Sequence, residues 1–182
     1  MAIGDMAFGR SWALHPAREA DWDALYADQV PRVFNYFRYR VGSGPVAEDL
    51  TSLTFEKAWT ARQSYRRDLA AFSTWLMTIA RNVATDHYRR RRDHAPLEAT
   101  EHVAGGEDPE ALAVRREAYE RLLRLLLALP ERDRELVSLK YGAGLTNRDI
   151  ARQLRLTETN VGTLLHRVVQ KLRAGWDGEG DS

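Results

Sequence analysis

Two short helices, each with its own start signal, are predicted between Leu145 and Arg173. Thr146 suits an N-cap and is followed three residues later by Asp149, and Thr157 repeats the cap eleven residues on. Apolar pairs that can close a hydrophobic staple flank both caps: Leu145 with Ile150, and Leu156 with Val161. Two capped helices this close, both with an apolar inner face, predict a helix-turn-helix whose second helix enters the major groove of DNA.

The outward face of that second helix carries side chains suited to contacting DNA. Hydroxyl, amide and cationic groups supply donors for base edges and phosphates, and the predicted contacts are Thr157, Thr159, Asn160, Thr163, His166, Arg167 and Lys171. The alternative interpretation is an ordinary helical hairpin with a solvated face. Gly162 and Leu164 stand where a stronger reader of DNA would carry basic side chains, so the predicted base contacts are few.

Helical periodicity continues through the rest of the chain, and no segment shows the sustained alternation of a strand. The predicted fold class is therefore all-α: two small helical domains joined by a flexible acidic linker, with a helix-turn-helix as the C-terminal domain. The Gly-Ser-Gly-Pro stretch at 42–45 ends the first helix, and Gly142 ends the one before the capped pair. The remaining helices are predicted at about 22–41, 46–62, 73–91, 110–128 and 131–141.

The charged residues are unevenly distributed along the 182-residue chain, although its net charge is only +1. Residues 22–93 carry 12 basic and 8 acidic side chains, residues 94–117 carry 2 and 6, and residues 118–173 carry 11 and 6. The acidic middle block is rich in Gly, Pro and Glu, which is typical of a linker. Each basic block can attract phosphate, but a pI of about 8.1 argues against a tight, free-standing DNA binder.

Several function classes are excluded or disfavoured by what the sequence lacks. It has no cysteine, which excludes disulfides and thiolate metal sites. Its five histidines are scattered, and neither a phosphate-binding loop nor a nucleophile elbow is present. We therefore expect no enzyme activity, no cofactor and no metal site. With no signal peptide and no apolar run near the roughly 18 residues that span a bilayer, the prediction is a cytoplasmic protein without membrane insertion.

Aromatic and cationic side chains lie close together in the first basic block. Tyr65, Arg66 and Arg67 precede a helix that contains Trp75 and ends in His-Tyr-Arg-Arg-Arg-Arg. Aromatic faces beside cations bind unstacked single-stranded bases, at roughly 1–3 kcal/mol per stacked base. The alternatives are core packing of Phe72 and Trp75 and a solvated basic helix end.

The helix Ala47–Trp59 combines acidic residues with strong apolar content. This pattern fits a protein-docking surface as well as a plain solvated amphipathic helix, and the pattern alone does not separate the two.

Together these segments resemble the extracytoplasmic-function (group IV) sigma factors of bacterial RNA polymerase. The resemblance covers about residues 22–175 and is densest in AEDLTSLTFEKAW, FSTWLMTIARNVATDHYRRRR, LPERDRELVSLKYGAGLTNRDIA and LTETNVGTLLHRVVQKLR. It implies a region-two domain at 22–93, an acidic linker at 94–117 and a region-four domain at 118–175, between an N-terminal tail at 1–21 and a C-terminal tail at 176–182.

The resemblance also implies partners and roles. Core RNA polymerase would bind through the β′ clamp helices, at Glu48, Asp49, Leu50, Phe55 and Trp59, and through the β flap. Promoter DNA would be read at the −35 element by the capped helix. The −10 element would be recognised and melted by Tyr65, Arg66, Arg67, Trp75, Arg81, Asn82, Asp86 and Arg89. An anti-sigma factor is a further partner that the resemblance suggests.

Two alternatives from other classes stay open. A stand-alone helix-turn-helix regulator would bind duplex operators as a dimer, for which the Leu-rich stretch 122–129 is the candidate interface. A helical adaptor or anti-sigma-like protein would make the basic blocks incidental. The sequence departs from the sigma pattern at Asn160, Gly162, Leu164 and Arg155, which leaves the −35 sequence open.

Overall fold

The computed structural model describes residues 22–66, 68, 70–92 and 109–178, and every regular element in these ranges is helical. A 3-10 turn at Arg62–Ser64 follows the second helix, and a π-helical turn at Ser138–Gly142 continues the fifth. In chain order the helices are α1 (Trp22–Val41), α2 (Gly44–Thr60), α3 (Phe72–Arg92), α4 (Pro109–Ala128), α5 (Glu131–Val137), α6 (Asn147–Leu154) and α7 (Glu158–Gly178). The all-α prediction is confirmed.

Helices α1 to α3 form the N-terminal domain around the apolar faces that the periodicity predicts. The break between α1 and α2 depends on Gly42, whose φ of 77° disfavours other residues, and on Ser43, whose side chain caps the N–H of Val46. The buried hydroxyls of Thr51 and Thr54 are satisfied inside α2, donating to Ala47 O at 2.6 Å and Leu50 O at 2.7 Å. The core between α1, α2 and α3 includes Val33, Phe37, Ala47, Leu76, Ala80 and Val83.

The predicted helix-turn-helix is present as α6 and α7. Thr146 Oγ1 accepts from Asp149 N at 3.1 Å, and Thr157 Oγ1 accepts from Asn160 N at 3.2 Å, so both N-caps are confirmed. Arg155 joins the helices in the left-handed region with φ 56°, where glycine is the usual residue. The apolar faces that meet between the helices are fully or largely buried: Ile150, Ala151, Val161 and Leu165.

Helix α4 begins at Pro109, inside the segment 94–117 that charge and composition predict as a linker. Proline suits the first position of a helix, and the residues after it are good helix formers. Charge composition therefore does not mark the helix boundary. The part of the predicted linker before Pro109, and both predicted tails apart from 176–178, lie outside the described residues.

The two domains pack on one continuous core, a contact that the sequence does not predict. Apolar residues of α1 and α3 are buried together with Leu136, Leu139, Leu145 and Ile150 of the C-terminal domain. A smaller cluster of Leu123, Leu126, Val137 and Val168 holds α4 against α5 and α7. No helix among the described residues is long and apolar enough to cross a membrane.

Candidate nucleic-acid interface

Helix α7 presents the predicted duplex-binding side chains on its outer face. Burial of Val161, Leu165 and Val168 on the inner face fixes this orientation. The hydroxyl of Thr163 bonds back to Thr159 O at 3.1 Å, and Lys171 Nζ donates to Asp133 at 2.8 Å. The predicted residues are exposed and form one surface: Thr157, Thr159, Asn160, Thr163, His166, Arg167 and Lys171.

The predicted single-strand-binding residues divide between an aromatic cluster and a polar helix face. Tyr65, Phe72 and Trp75 contact one another, with ring centroids 5.1–5.5 Å apart. Phe72 is buried, while Tyr65 and Trp75 keep part of their surface exposed. Trp22 of α1 joins this cluster, 5.3 Å from Phe72. Core packing and partial solvent exposure therefore coexist at Trp75.

The loop and the polar face of α3 supply the charged members of this set. Arg66 is exposed and forms two hydrogen bonds to Asp68, at 3.0 and 2.9 Å, which hold the pKa of the Asp68 carboxyl below its ordinary value. Asn82 is exposed, and Arg89 lies 3.3 Å from Asp86 while its side chain stays 74% exposed. Arg67 lies outside the described residues.

Arg81 differs from its neighbours because the C-terminal domain contacts it. Its Nε donates to Glu135 Oε1 at 2.8 Å, and its Nη1 donates to Gln153 O at 2.8 Å. The two charged side chains are only 24% and 20% exposed. The structure therefore places Arg81 between the domains, apart from the open face formed by Asn82 and Arg89.

The predicted docking helix α2 presents only some of its predicted residues. Glu48 and Asp49 are exposed near its start, and Trp59 is 53% exposed near its end with the Arg62 guanidinium 4.2 Å above its ring. Leu50 is buried in the core and cannot offer its side chain to a partner, because it lies on the inner face of α2. Phe55 is half-buried.

An apolar groove of about 340 Å³ lies beside Trp59. One wall of this groove is formed by Trp22 and Tyr26 of α1, which the sequence analysis did not identify. Tyr26 is 51% exposed, and its ring lies 4.5 Å from that of Phe55. The presence of two aromatic residues one helical turn apart at the start of α1 could have indicated this wall. No group of three or more residues able to hold a metal occurs in the described part of the chain.

Comparison with known proteins assigns the family. Sigma-70 region 2 matches residues 25–94, and Sigma-70 region 4 matches residues 119–172. The chain is 31% identical over 150 residues to the ECF RNA polymerase sigma factor SigD of Mycobacterium tuberculosis, covering 79% of this chain and 71% of SigD. It belongs to the ECF family of RNA polymerase sigma factors. As a sigma factor it acts in promoter-specific initiation of transcription.

Other relatives agree with this family. The sigma factor is 32% identical over 160 residues to BldN of Streptomyces coelicolor, covering 86% of this chain but only 61% of BldN. Its fold matches that of the sigma factor RpoE from Bartonella quintana, solved in complex with the anti-sigma factor NepR, with a TM-score of 0.68 and 21% identity. That match covers 86% of this chain and 97% of RpoE.

The family match places the two sets of candidate residues in different regions of the sigma factor. Helices α2 and α3 fall within region 2 and α1 lies largely within it, while α5 to α7 lie largely within region 4. The aromatic cluster and the α3 face therefore belong to region 2, and the exposed α7 face belongs to region 4.

Proposed function

We propose that this sigma factor divides promoter recognition between its domains: α7 reads the −35 element, and region 2 recognises and helps to melt the −10 element. The observation that carries this is the exposed polar face of α7, held outward by burial of Val161, Leu165 and Val168 on the opposite face of the helix. RNA polymerase would perform all covalent chemistry, so the sigma factor itself would catalyse no reaction. Action on polymerase and DNA would place it in the cytoplasm.

For the −35 element, α7 offers a small set of base-reading groups. Arg167 is suited to guanine in the major groove and Asn160 to adenine, while the threonine methyls suit thymine. Gly162 contributes no side chain, and Leu164 is half-buried. Each good bidentate pair discriminates by roughly 1–3 kcal/mol, so we expect a short −35 consensus dominated by few base pairs.

For the −10 element, α3 and the aromatic cluster offer complementary chemistry. Asn82 and Arg89 lie on an exposed face for polar contacts, and the partly exposed rings of Tyr65 and Trp75 lie close by in the chain for stacking. Unpaired bases gain roughly 1–3 kcal/mol by stacking on such rings, which would offset part of the unstacking cost of melting.

For polymerase, the proposed surface is the exposed face of α2. Glu48, Asp49 and Trp59 belong to it, and Leu50 is left out because its side chain is in the core. The β flap is a second proposed contact, made by region 4. An anti-sigma factor is a further proposed partner, which co-purification from the source organism would test.

The alternative of a stand-alone dimeric regulator loses its candidate interface. Leu123 is 4% exposed and Leu126 is 0% exposed, because both pack inside the chain against α5 and α7. Leu123 and Leu126 therefore have an intramolecular role, whereas the sigma function accounts for the exposed polar faces of α3 and α7.

Two substitutions test the proposed division of labour. Asp49→Arg should weaken binding to core polymerase in a pull-down, whereas Glu117→Arg, an exposed charge reversal on α4, should not. Arg167→Ala should reduce initiation and footprint protection at −35 while core binding stays close to wild type, with exposed Arg173→Ala as its control. Equal loss of core binding by Asp49→Arg and Arg167→Ala would contradict the division.

A further inference from the structure

Gly162 leaves a gap in the side chains along one flank of α7. On a helix surface, the neighbours of a residue are those three and four positions away. For Gly162 these include Thr159 and His166, two exposed residues of the predicted duplex-binding face. The φ of Gly162 is not in the positive range that favours glycine, and glycine weakens a helix interior. The backbone of α7 therefore gives no reason for a glycine at this position.

The side chain of Asn147, the first residue of α6, lies over this gap. A Cβ built at Gly162 would lie 3.8 Å from Asn147 Nδ2, the nearest atom of another described helix. The first turns of α6 and α7 also run side by side, since Arg148 Nε lies 3.6 Å from Glu158 Oε2. Asn147 therefore supplies an amide at the place where α7 itself has no side chain.

The amide of Asn147 has a hydrogen-bond acceptor that the described part of the chain leaves unused. Its Oδ1 is buried and has no partner among the described residues, although folded proteins satisfy nearly all buried acceptors. The residue as a whole is partly exposed, so rotation about the last side-chain bond, whose preferences are broad, can turn the amide toward solvent. Because Oδ1 breaks no hydrogen bond when it turns, a donor that reaches it from outside gains a contact at little cost.

The chemistry of this amide matches an adenine in the major groove. Asparagine accepts from adenine N6 and donates to adenine N7 through one planar side chain, and this bidentate pair distinguishes adenine from the other bases. The neighbouring Arg148 is 71% exposed and supplies a cation for an adjacent phosphate, which would fix the register of α6 on the duplex. The start of α6 therefore combines a base-reading group with a backbone-positioning group.

We propose that Asn147 of α6 is a specificity-determining residue for the −35 element and reads an adenine across the gap at Gly162. This proposal rests on the proposed function and adds to it a base contact from the first helix of the helix-turn-helix. It also gives glycine a role at position 162. A methyl group there would be in ordinary contact with the Asn147 amide, whereas a larger side chain would compete with the amide for space.

Binding of the reconstituted holoenzyme to a promoter library with a randomised −35 element tests the proposal. The wild type should select adenine at one position, and Asn147→Ala should reduce that preference about tenfold while preferences at the other positions remain. Alanine is a better helix former than asparagine and removes the unpaired acceptor, so circular dichroism should show a Tm no lower than that of the wild type. Asn35→Ala, at an exposed position of α1, is the control and should leave the −35 consensus unchanged.

A matched pair of substitutions at Gly162 tests the role of the gap independently. Gly162→Ala places a methyl group 3.8 Å from Asn147 Nδ2 and should keep the adenine preference. Gly162→Ile adds a stiff, branched side chain beside the amide and should abolish the preference at that same position. Adding Asn147→Ala to Gly162→Ile should cause no further loss of adenine preference, because the two substitutions remove the same contact.

Two results would overturn the proposal while the proposed function stands. One is a −35 consensus that Asn147→Ala leaves unchanged. The other is equal weakening at every −35 position, which would mean that Asn147 contacts only phosphate or supports the fold. Absence of any −35 selection by the wild-type holoenzyme would instead contradict the proposed function.

Discussion

Replacement of Tyr36 by phenylalanine should stabilise the protein. Tyr36 is 0% exposed and packs on Phe37 with ring centroids 5.2 Å apart. Its hydroxyl is buried and has no hydrogen-bond partner among the described residues. Burial raises the pKa of this phenol far above 10.0, with nearby Glu135 raising it further and Arg40 opposing the shift.

The size of the effect follows from the unsatisfied hydroxyl. Leaving a buried polar group unpaired costs about 1–3 kcal/mol, and removing one oxygen forfeits a few dispersion contacts worth about 0.1–0.2 kcal/mol each. The net expectation for Tyr36→Phe is a gain of about 1 kcal/mol in the free energy of unfolding. For a chain of this length that corresponds to a rise of roughly 2–4 °C in Tm.

Urea unfolding followed by circular dichroism at neutral pH measures this gain, with the exposed Tyr26→Phe as a control. The pH dependence provides a second test. The folded-state pKa of Tyr36 lies above its unfolded value of 10.0. Its titration therefore leaves the free energy of unfolding unchanged below pH 10 and lowers it as the pH rises above 10, by at most about 1.4 kcal/mol per pH unit. Tyr36→Phe should therefore reduce alkaline destabilisation. A loss of 1 kcal/mol or more at neutral pH would contradict this expectation, because it would mean that the Tyr36 hydroxyl is hydrogen-bonded.

Three further substitutions test local features of region 4. Thr146→Ala removes the N-cap of α6 and should cost about 1 kcal/mol in urea unfolding, whereas exposed Thr60→Ala, which loses no cap, should cost little; equal losses would contradict the capping role. Arg155→Gly should raise the free energy of unfolding by about 0.5–1 kcal/mol, because glycine relieves the φ of 56° at the turn, and a decrease would contradict this. Lys171→Gln should change stability by less than about 1 kcal/mol, since the Lys171 side chain is 56% exposed and glutamine can still donate to Asp133. The substitution should weaken duplex binding by the holoenzyme and reduce its salt dependence; unchanged salt dependence would remove Lys171 from the DNA contact.

Local chemistry made much of region 4 predictable. The caps at Thr146 and Thr157 depend on residues within three positions of each other, and the structure contains both. The helix end at Gly42 likewise follows from the residue at the break itself, whose φ is 77°. Such features need no knowledge of distant parts of the chain.

The contact between the domains could not be predicted, because it depends on pairs far apart in sequence. Arg81 and Glu135 are separated by 54 positions, and Thr74 and Gln153 by 79. Hydrophobic periodicity indicates that a face is buried but not which element covers it. The role of Arg81 as an interdomain residue was hidden for the same reason.

The sequence also did not distinguish buried from exposed residues within one motif. Leu50 shares the α2 motif with Asp49, yet one side chain is buried and the other is exposed. Trp22 completes the aromatic cluster from a helix that periodicity treats only as core-forming. A motif resemblance identifies the segment that contributes to a surface, and only the structure shows which residues of that segment are exposed and which lie in the core.

Transcription reconstituted with purified core RNA polymerase tests whether this chain acts as a sigma factor. Core alone and core with the sigma factor are incubated with genomic DNA of the source organism, and the 5′ ends of the transcripts are sequenced. We expect the sigma factor to produce transcripts from a limited set of start sites, each preceded by shared −35 and −10 elements. Tight duplex binding by the protein alone, with no selective start sites in the presence of core, would contradict it.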